Sequence, residues 1–418
     1  MKKIIVFLIL LSVIGCNKNQ TYTKAVFNTD SISSLIKVDT PYTVIDVENY
    51  KKIPYSEYHK FLKEVKYIPL KSDEPIGEIK VIKIHKGRVF ILDAFKSESV
   101  FIFDLSTGDL IKRIHDKGQG PAEYLGLIDM AILNDQIILN DRLFYHTLYY
   151  TLDGVFIKKV RSMPNFYVEA LNGTIVNQLT FSQASDFKIN NIKCQLVFVS
   201  NDSIIRKGFP FYPIQENASN GKTFWRNSKD ELLFSPLLSD TVYQLMNDST
   251  YFVKYVVEQK KSLWKKHDEY LGYNDHNRLV KQEGYTYLGY EFLEADEYVL
   301  YPIIIKYSEF EFIREDVYLY NKTTGLSFRT ILDEQEEGQV ITTLTPKAKN
   351  VYGNYFIGVL EGHEIEGMRE FIKQDKKNLF QVQELKSILT SDIKDLECIL
   401  VLYEFNDIED IDMSGLID

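Results

Sequence analysis

Cysteine is nearly missing from this chain: 418 residues carry three, and one of them, Cys16, closes the N-terminal apolar stretch. The other two, Cys194 and Cys398, are too few and too distant for a disulfide framework. Both sit in apolar, strand-like runs (KCQLVFV and LECILVLY) and read as buried thiols. A basic excess is missing as well. Formal net charge is −10, and no segment concentrates Lys and Arg. That excludes nucleic acid as a partner, because neutralising phosphates needs a basic surface. The seven histidines are scattered, with no His-x-His or His-x-x-x-His pair, so the spacing that usually marks a zinc site is absent. There is no Gly-x-Ser-x-Gly elbow for a serine nucleophile.

The N-terminus has Lys2 and Lys3, an apolar run from Ile4, and then Val13-Ile14-Gly15-Cys16. The run is too short to span a bilayer comfortably, which takes ~20 residues. A charged start and a short apolar body describe a secretory signal. Its ending resembles a bacterial lipobox, which implies that Cys16 is acylated and becomes the mature N-terminus. Each buried methylene of such chains adds ~0.8 kcal/mol to membrane attachment. Residues 1–16 are therefore set aside as a signal peptide, and the polar, turn-rich residues 17–55 read as a tether or lead-in. The expected location is a bacterial envelope, lipid-anchored at the outer membrane.

What the chain does have is aromatics, 28 Tyr and 26 Phe, which favour pleated, half-buried surfaces. From Phe61 onward, short apolar runs alternate with turn signals, the texture of an all-β protein. Repeats are visible. VFIFDLSTGDLIKRI (Val100–Ile114) aligns without a gap on VYLYNKTTGLSFRTI (Val317–Ile331). LYYTLDGVFIKKV (Leu148–Val160) is another copy, and DTVYQLMNDSTYFVKYVV from Asp240 a weaker one. Upstream, VFILD ending at Asp93 is echoed by IILND ending at Asp141. In each unit an Asp or Asn opens a turn by bonding its own backbone, and Gly supplies positive φ. Units of roughly 45–50 residues with four strands fit propeller blades. Residues 56–418 are thus expected to form a β-propeller of six four-stranded blades. The final run Cys398–Phe405 should close the ring against Val65–Leu70. Lys260–Lys281 and Gly367–Ser391 break the pattern and predict short helical insertions in loops.

Between two units lies DKGQGPAEYLG (Asp116–Gly126). It lacks the Lys-Ser/Thr pair of a phosphate loop, Pro121 removes a donor, and a strand-like run rather than a helix follows. Gly118, Gly120, Pro121, Glu123 and Tyr124 read instead as a blade-to-blade connector, with Glu123 accepting backbone N–H groups and the Tyr124 ring packed. The order ILD strand, VFIFD strand, Gly turn, LIKRI strand and Gly-x-Gly-Pro-x-Glu-Tyr loop resembles the six-bladed β-propeller lipoproteins of gut-type anaerobic bacteria, which are themselves similar to NHL-repeat propellers. The likeness covers Val65–Val160 well and the rest loosely. Family members usually carry glycine at the position of Ala122.

No metal is expected; the histidines that would hold one are His85, His115 and His146, each near a strand end in neighbouring blades, as NHL-like lyases use histidines from several blades. The Ser-x-Asp-x-Gly-x-x-Trp boxes of propeller sialidases are absent. An irregular stretch, FPFYPIQENASNGKTFWR, offers Phe211, Tyr212, Trp225 and Arg226 as a possible platform for carbohydrate or peptide. No cofactor is expected. The sequence favours a non-enzymatic scaffold binding a glycan, a peptide or an envelope protein. The alternative is a lyase or glycoside-cleaving enzyme that uses the central channel.

Overall fold

The computed structural model describes residues 32–143, 145–162, 167–180, 194–200, 203–216, 221–306, 313–331, 344–391, 393, 395–411 and 416. The signal segment with Cys16 lies outside them. The repeats are blades, and there are six. Blade 1 runs Ile79–His85, Arg88–Asp93, Ser99–Asp104 and Leu110–Ile114; blade 2 runs Leu127–Leu133, Gln136–Asp141, His146–Thr151 and Phe156–Arg161. Blade 3 runs Tyr167–Leu171, Thr174–Gln178, Cys194–Ser200 and Ser203–Pro210; blade 4 runs Phe224–Arg226, Leu232–Phe234, Thr241–Leu245 and Thr250–Glu258. In blade 5 two short pieces, Tyr287–Leu288 and Leu293–Glu294, share the innermost place before Tyr298–Lys306, Ile313–Asn321 and Ser327–Ile331. All strands within a blade's own meander are antiparallel.

Blade 6 is composite. Asn350–Tyr352, Tyr355–Leu360 and Leu396–Phe405 come from the C-terminal part, and the outer strand Leu62–Lys71 from near the start. The expected closure is there, with Cys398 opposite Leu70 and Leu402 opposite Lys66.

The repeated turn owes its shape to two residues. The Asp104 carboxylate accepts the N–H groups of Ser106 (2.8 Å) and Thr107 (3.0 Å), and Asn321 does the same for Thr323 (3.1 Å) and Thr324 (2.8 Å). Gly108 and Gly325 then take φ of +71° and +72°, a left-handed conformation that a side chain disfavours.

The apolar strands follow from burial on both faces. In Val100-Phe101-Ile102-Phe103, Val100 and Ile102 pack toward blade 2, and Phe101 and Phe103 pack toward blade 6. Successive side chains of a strand point to opposite faces, so a blade wedged between two others needs a continuous apolar run. Each such side chain contributes ~1.5–3 kcal/mol relative to leaving it in water.

The lead-in does more than connect. Ser33–Ser34 pairs in parallel with the outer strand of blade 3, Ile36–Lys37 and Thr43–Asp46 with that of blade 4, and Tyr50–Pro54 with that of blade 5. A belt therefore runs over three blades before the chain enters blade 6. The insertions are helical as expected: Tyr273–Glu283, Gly362–Gln374 and Gln383–Thr390. Cys194 and Cys398 are free and buried. No described helix is long and apolar enough to cross a membrane.

Candidate functional site

The innermost strands pack around one axis, and the channel they leave is where charge collects. Each strand alternates, so residues on its axial side meet residues from the other blades. Blade 1 contributes Lys83, blade 2 Asp129, blade 3 Glu169, and the start of blade 4 Lys222 and Arg226. Asp129 is 0 % exposed and Glu169 1 %. Burying a carboxylate without a partner is prohibitive, and both have partners. Lys83 donates to Glu169. Lys222 Nζ lies 2.9 Å from Asp129 Oδ2 and 3.8 Å from Glu169 Oε2. Arg226 Nε is 3.5 Å from Glu169 Oε1, and its guanidinium also donates to the Ala170 carbonyl. The Val168 N–H completes Asp129 at 2.8 Å.

This cluster forms a septum. On one side a cavity of about 560 Å³ opens among the hairpin tips, which include Lys86, Asn134, Asp135 and Asn172. On the other side a cavity of about 430 Å³ is walled by Tyr167, Trp225 and Tyr290. Lys83, Glu169, Arg226 and Asn350 border both. The Glu169 carboxyl would rise on burial, but the charges of Lys83, Lys222 and Arg226 override that and hold it down at about 2. Burial drives the Lys83 ammonium the other way, downward, against the pull of Glu169. Glu169 is therefore an ionised, fully committed acceptor. It has no proton to give a leaving group at neutral pH, which a general acid must have.

A larger cavity, about 600 Å³, lies off the axis between blades 5 and 6. Its charges pair among themselves, Arg329 with Asp316 at 2.5 Å and Lys347 with Glu291 and Glu315 at 2.6 and 2.8 Å. The remaining lining is largely apolar, so the axial cavities are the better candidate for a polar ligand.

The residues singled out from the sequence fall in different places. The connector loop joins blades 1 and 2. Glu123 Oε2 accepts the Gly120 N–H at 2.6 Å, and a Cβ at Gly118 would sit 2.1 Å from that same oxygen. Tyr124 is fully buried and donates to the Glu98 carbonyl at 2.6 Å. Lys159 and Tyr150 of blade 2 bind the carbonyls of Glu123 (2.6 Å) and Ala122 (3.1 Å). Pro121 lies on an open depression beside His146.

The three histidines do not converge. His85 bonds Asp135 at 2.9 Å on the hairpin side of the channel, His115 bonds Ser99 at 2.9 Å beyond the outer strand of blade 1, and His146 starts the third strand of blade 2. Among the described residues no group of three His, Cys, Asp or Glu is placed to hold a metal ion. The aromatic stretch is also parted. Tyr212 stacks edge-on with Trp264 and His267, both at 5.1 Å, in a cluster away from the axis, while Phe211 precedes it outside any axial wall. Trp225 and Arg226 alone reach the channel.

Sequence reasoning missed Lys83, Asp129, Glu169 and Lys222. Part of their signal was present: Asp129 and Glu169 are the single charged residues of otherwise apolar first strands, LIDMAIL and YVEAL, whereas Lys83 shares IKVIKIH with Lys80 and Lys222 precedes its strand. It also missed why two blades end their second strand in Asp. Asp93 accepts N–H groups from Gly77 (2.8 Å), Lys96 (2.9 Å) and Ser97 (2.9 Å), and Asp141 accepts those of Leu125 (3.1 Å) and Leu143 (3.1 Å). Each staples the chain entering its own blade.

The profile of the family described as Domain of unknown function (DUF4934) matches residues 42–399, so the chain belongs to that family. No curated protein matches it by sequence. Among solved structures it is similar to a protein of Bacteroides fragilis described as exported, at 15% identity and a TM-score of 0.65, over 88% of this chain and 100% of that one. A member of the duf4221 family from Bacteroides vulgatus aligns at 9% identity and a TM-score of 0.46, over 83% of this chain and 98% of that one. Virginiamycin B lyase from Staphylococcus aureus aligns at 9% identity and 0.36, over 66% and 90%. At such identities the likeness concerns the fold alone.

Proposed function

We propose that this member of the DUF4934 family is a non-enzymatic binding protein of a bacterial cell envelope, tethered by lipid on Cys16, that captures a small polar ligand in its axial channel. The observation that carries the reading is the septum. It stands between the two axial cavities, and its carboxylates are saturated by cations, which suits holding a ligand against a charged floor more than moving protons. Two buried carboxylates do meet there, so the glycoside-cleaving alternative is tested directly. Export agrees with the signal-like N-terminus and with the description of the Bacteroides fragilis protein.

The experiment is a melting-temperature screen by intrinsic fluorescence on the full chain in mild detergent. Glycan fragments, peptides and divalent metals are added, with a chelator control. A ligand at 100 times its Kd adds ~2.7 kcal/mol. A raised melting temperature with a glycan or peptide, and no product formed, supports the proposal. Turnover lost in Asp129→Asn replaces it with the enzyme. For the tether, radiolabelled fatty acid incorporated by the native chain and not by Cys16→Ala is the expected result; equal labelling refutes it.

A further inference from the structure

The two axial cavities are not equivalent, and one cation distinguishes them. Lys80, on the first strand of blade 1, borders the aromatic-walled cavity. Among the described residues no carboxylate lies within ion-pair distance of it, whereas the neighbouring Lys222 is engaged by Asp129 and Lys349 by Glu361 (2.9 Å). The Lys80 ammonium instead lies 5.7 Å from the ring centroids of both Phe95 and Tyr167. Ring faces within ~6 Å attract a cation, but they leave its three N–H donors unspent. Phe95 is 49 % exposed although it is a large apolar side chain. Tyr290 lies flat against Gly221, where a Cβ would come within 2.5 Å of the ring.

An unspent ammonium beside aromatic faces, with an exposed carboxylate (Glu78) at the same mouth, matches one kind of ligand well. Ring faces stack on the C–H face of a sugar, the ammonium takes a carboxylate, and Glu78 accepts hydroxyls. The volume, about 430 Å³, is within the ~300–1,000 Å³ usual for small-ligand sites. Resting on the reading of the channel as a binding site, we propose that this cavity binds a carboxylated sugar residue, a hexuronate at the end of an acidic glycan, with Lys80 as its carboxylate receptor.

The test titrates the full chain in detergent, by calorimetry, with trigalacturonate and with neutral galactotriose, against native protein and Lys80→Gln. Lys80 holds no buried carboxylate, so Lys80→Gln should melt as the native protein does. Expected are preferential binding of trigalacturonate, a loss of at least tenfold in its affinity in Lys80→Gln, and weakening with added salt. Equal binding of both sugars, unchanged in Lys80→Gln, overturns the acidic-sugar assignment while leaving the channel as a binding site. Displacement of trigalacturonate by inorganic sulfate at similar affinity overturns the sugar and leaves a simple anion site. No binding of either sugar refutes this inference; the broader proposal then stands or falls on the melting screen.

Discussion

Blades 1 and 2 differ from blades 3 to 5 at their outer rims. The latter wear the N-terminal belt, so their outer strands are paired on both sides. The outer strands of blades 1 and 2, Leu110–Ile114 and Phe156–Arg161, gain no added strand from the described residues. An open edge invites pairing with another chain, and positive side chains suppress it. Those two strands carry Lys112, Arg113, Lys158, Lys159 and Arg161. Three blades of the ring thus cover their outer edges and two charge them. The two bare blades are also tied across the axis to belted ones, Lys83 of blade 1 to Glu169 of blade 3 and Asp129 of blade 2 to Lys222 at the start of blade 4. The lesson is that a rim left bare is compensated from the centre.

The comparison is broken most forcefully at that centre. Glu169→Gln leaves Lys83 and Lys222 without their shared acceptor, and removing one partner of a buried pair costs ~3–5 kcal/mol. The expected result is a large fall in melting temperature, with amide exchange rising more in blades 1 and 2 than in blades 4 and 5. Uniform exchange across the ring would show that the septum does not favour the two bare blades.

A smaller effect separates the belted blade 4 from the axial cluster by pH. Burial raises the Asp240 carboxyl of blade 4 to about 7, against the lowering effect of the Ser262 hydroxyl. A carboxyl raised in the folded state contributes stability that is full below the ordinary range, ~4, and is lost as pH rises through about 7. Glu169 is depressed, so its contribution is present above the ordinary range and disappears only as pH falls toward about 2. Melting temperature should therefore drop between about pH 4 and 7 and level off above, and Asp240→Asn should flatten that drop. An unchanged slope in the variant would assign the titration elsewhere. The smallest effect on stability is at the rim. Replacing Lys112 and Lys158 by Val should leave melting within a few degrees but produce concentration-dependent association in light scattering. Arg206→Val, on the belted outer strand of blade 3, should remain monodisperse.

Much of this architecture was legible because it is written locally. Asp104 and Gly108 set a turn by their own bonds, and the same pair recurs as Asn321 and Gly325, so the alignment of distant segments followed. The closing strand was legible because Cys398–Phe405 is an apolar run at the end of a repeat series that needs a fourth strand. The belt was not, because Ser33–Ser34 and Ile36–Lys37 are two-residue pairings whose geometry is dictated by the blade beside them. The septum was hidden for a related reason. Lys83 and Glu169 become neighbours only when blades 1 and 3 meet at the axis, and no spacing in the chain encodes that distance. Trp225 and Arg226 were picked for the wrong company, with Phe211 and Tyr212, although two of the four do face the channel.

The composite sixth blade bears on the order in which the molecule can come into being. Its outer strand is made early and must wait for Leu396–Phe405 before either has its partner. Contacts so far apart in sequence slow folding, since the chain between them must be confined before they form. A polypeptide crossing a membrane in the N-to-C direction would thus stay open, and threadable, until almost its last residue had emerged.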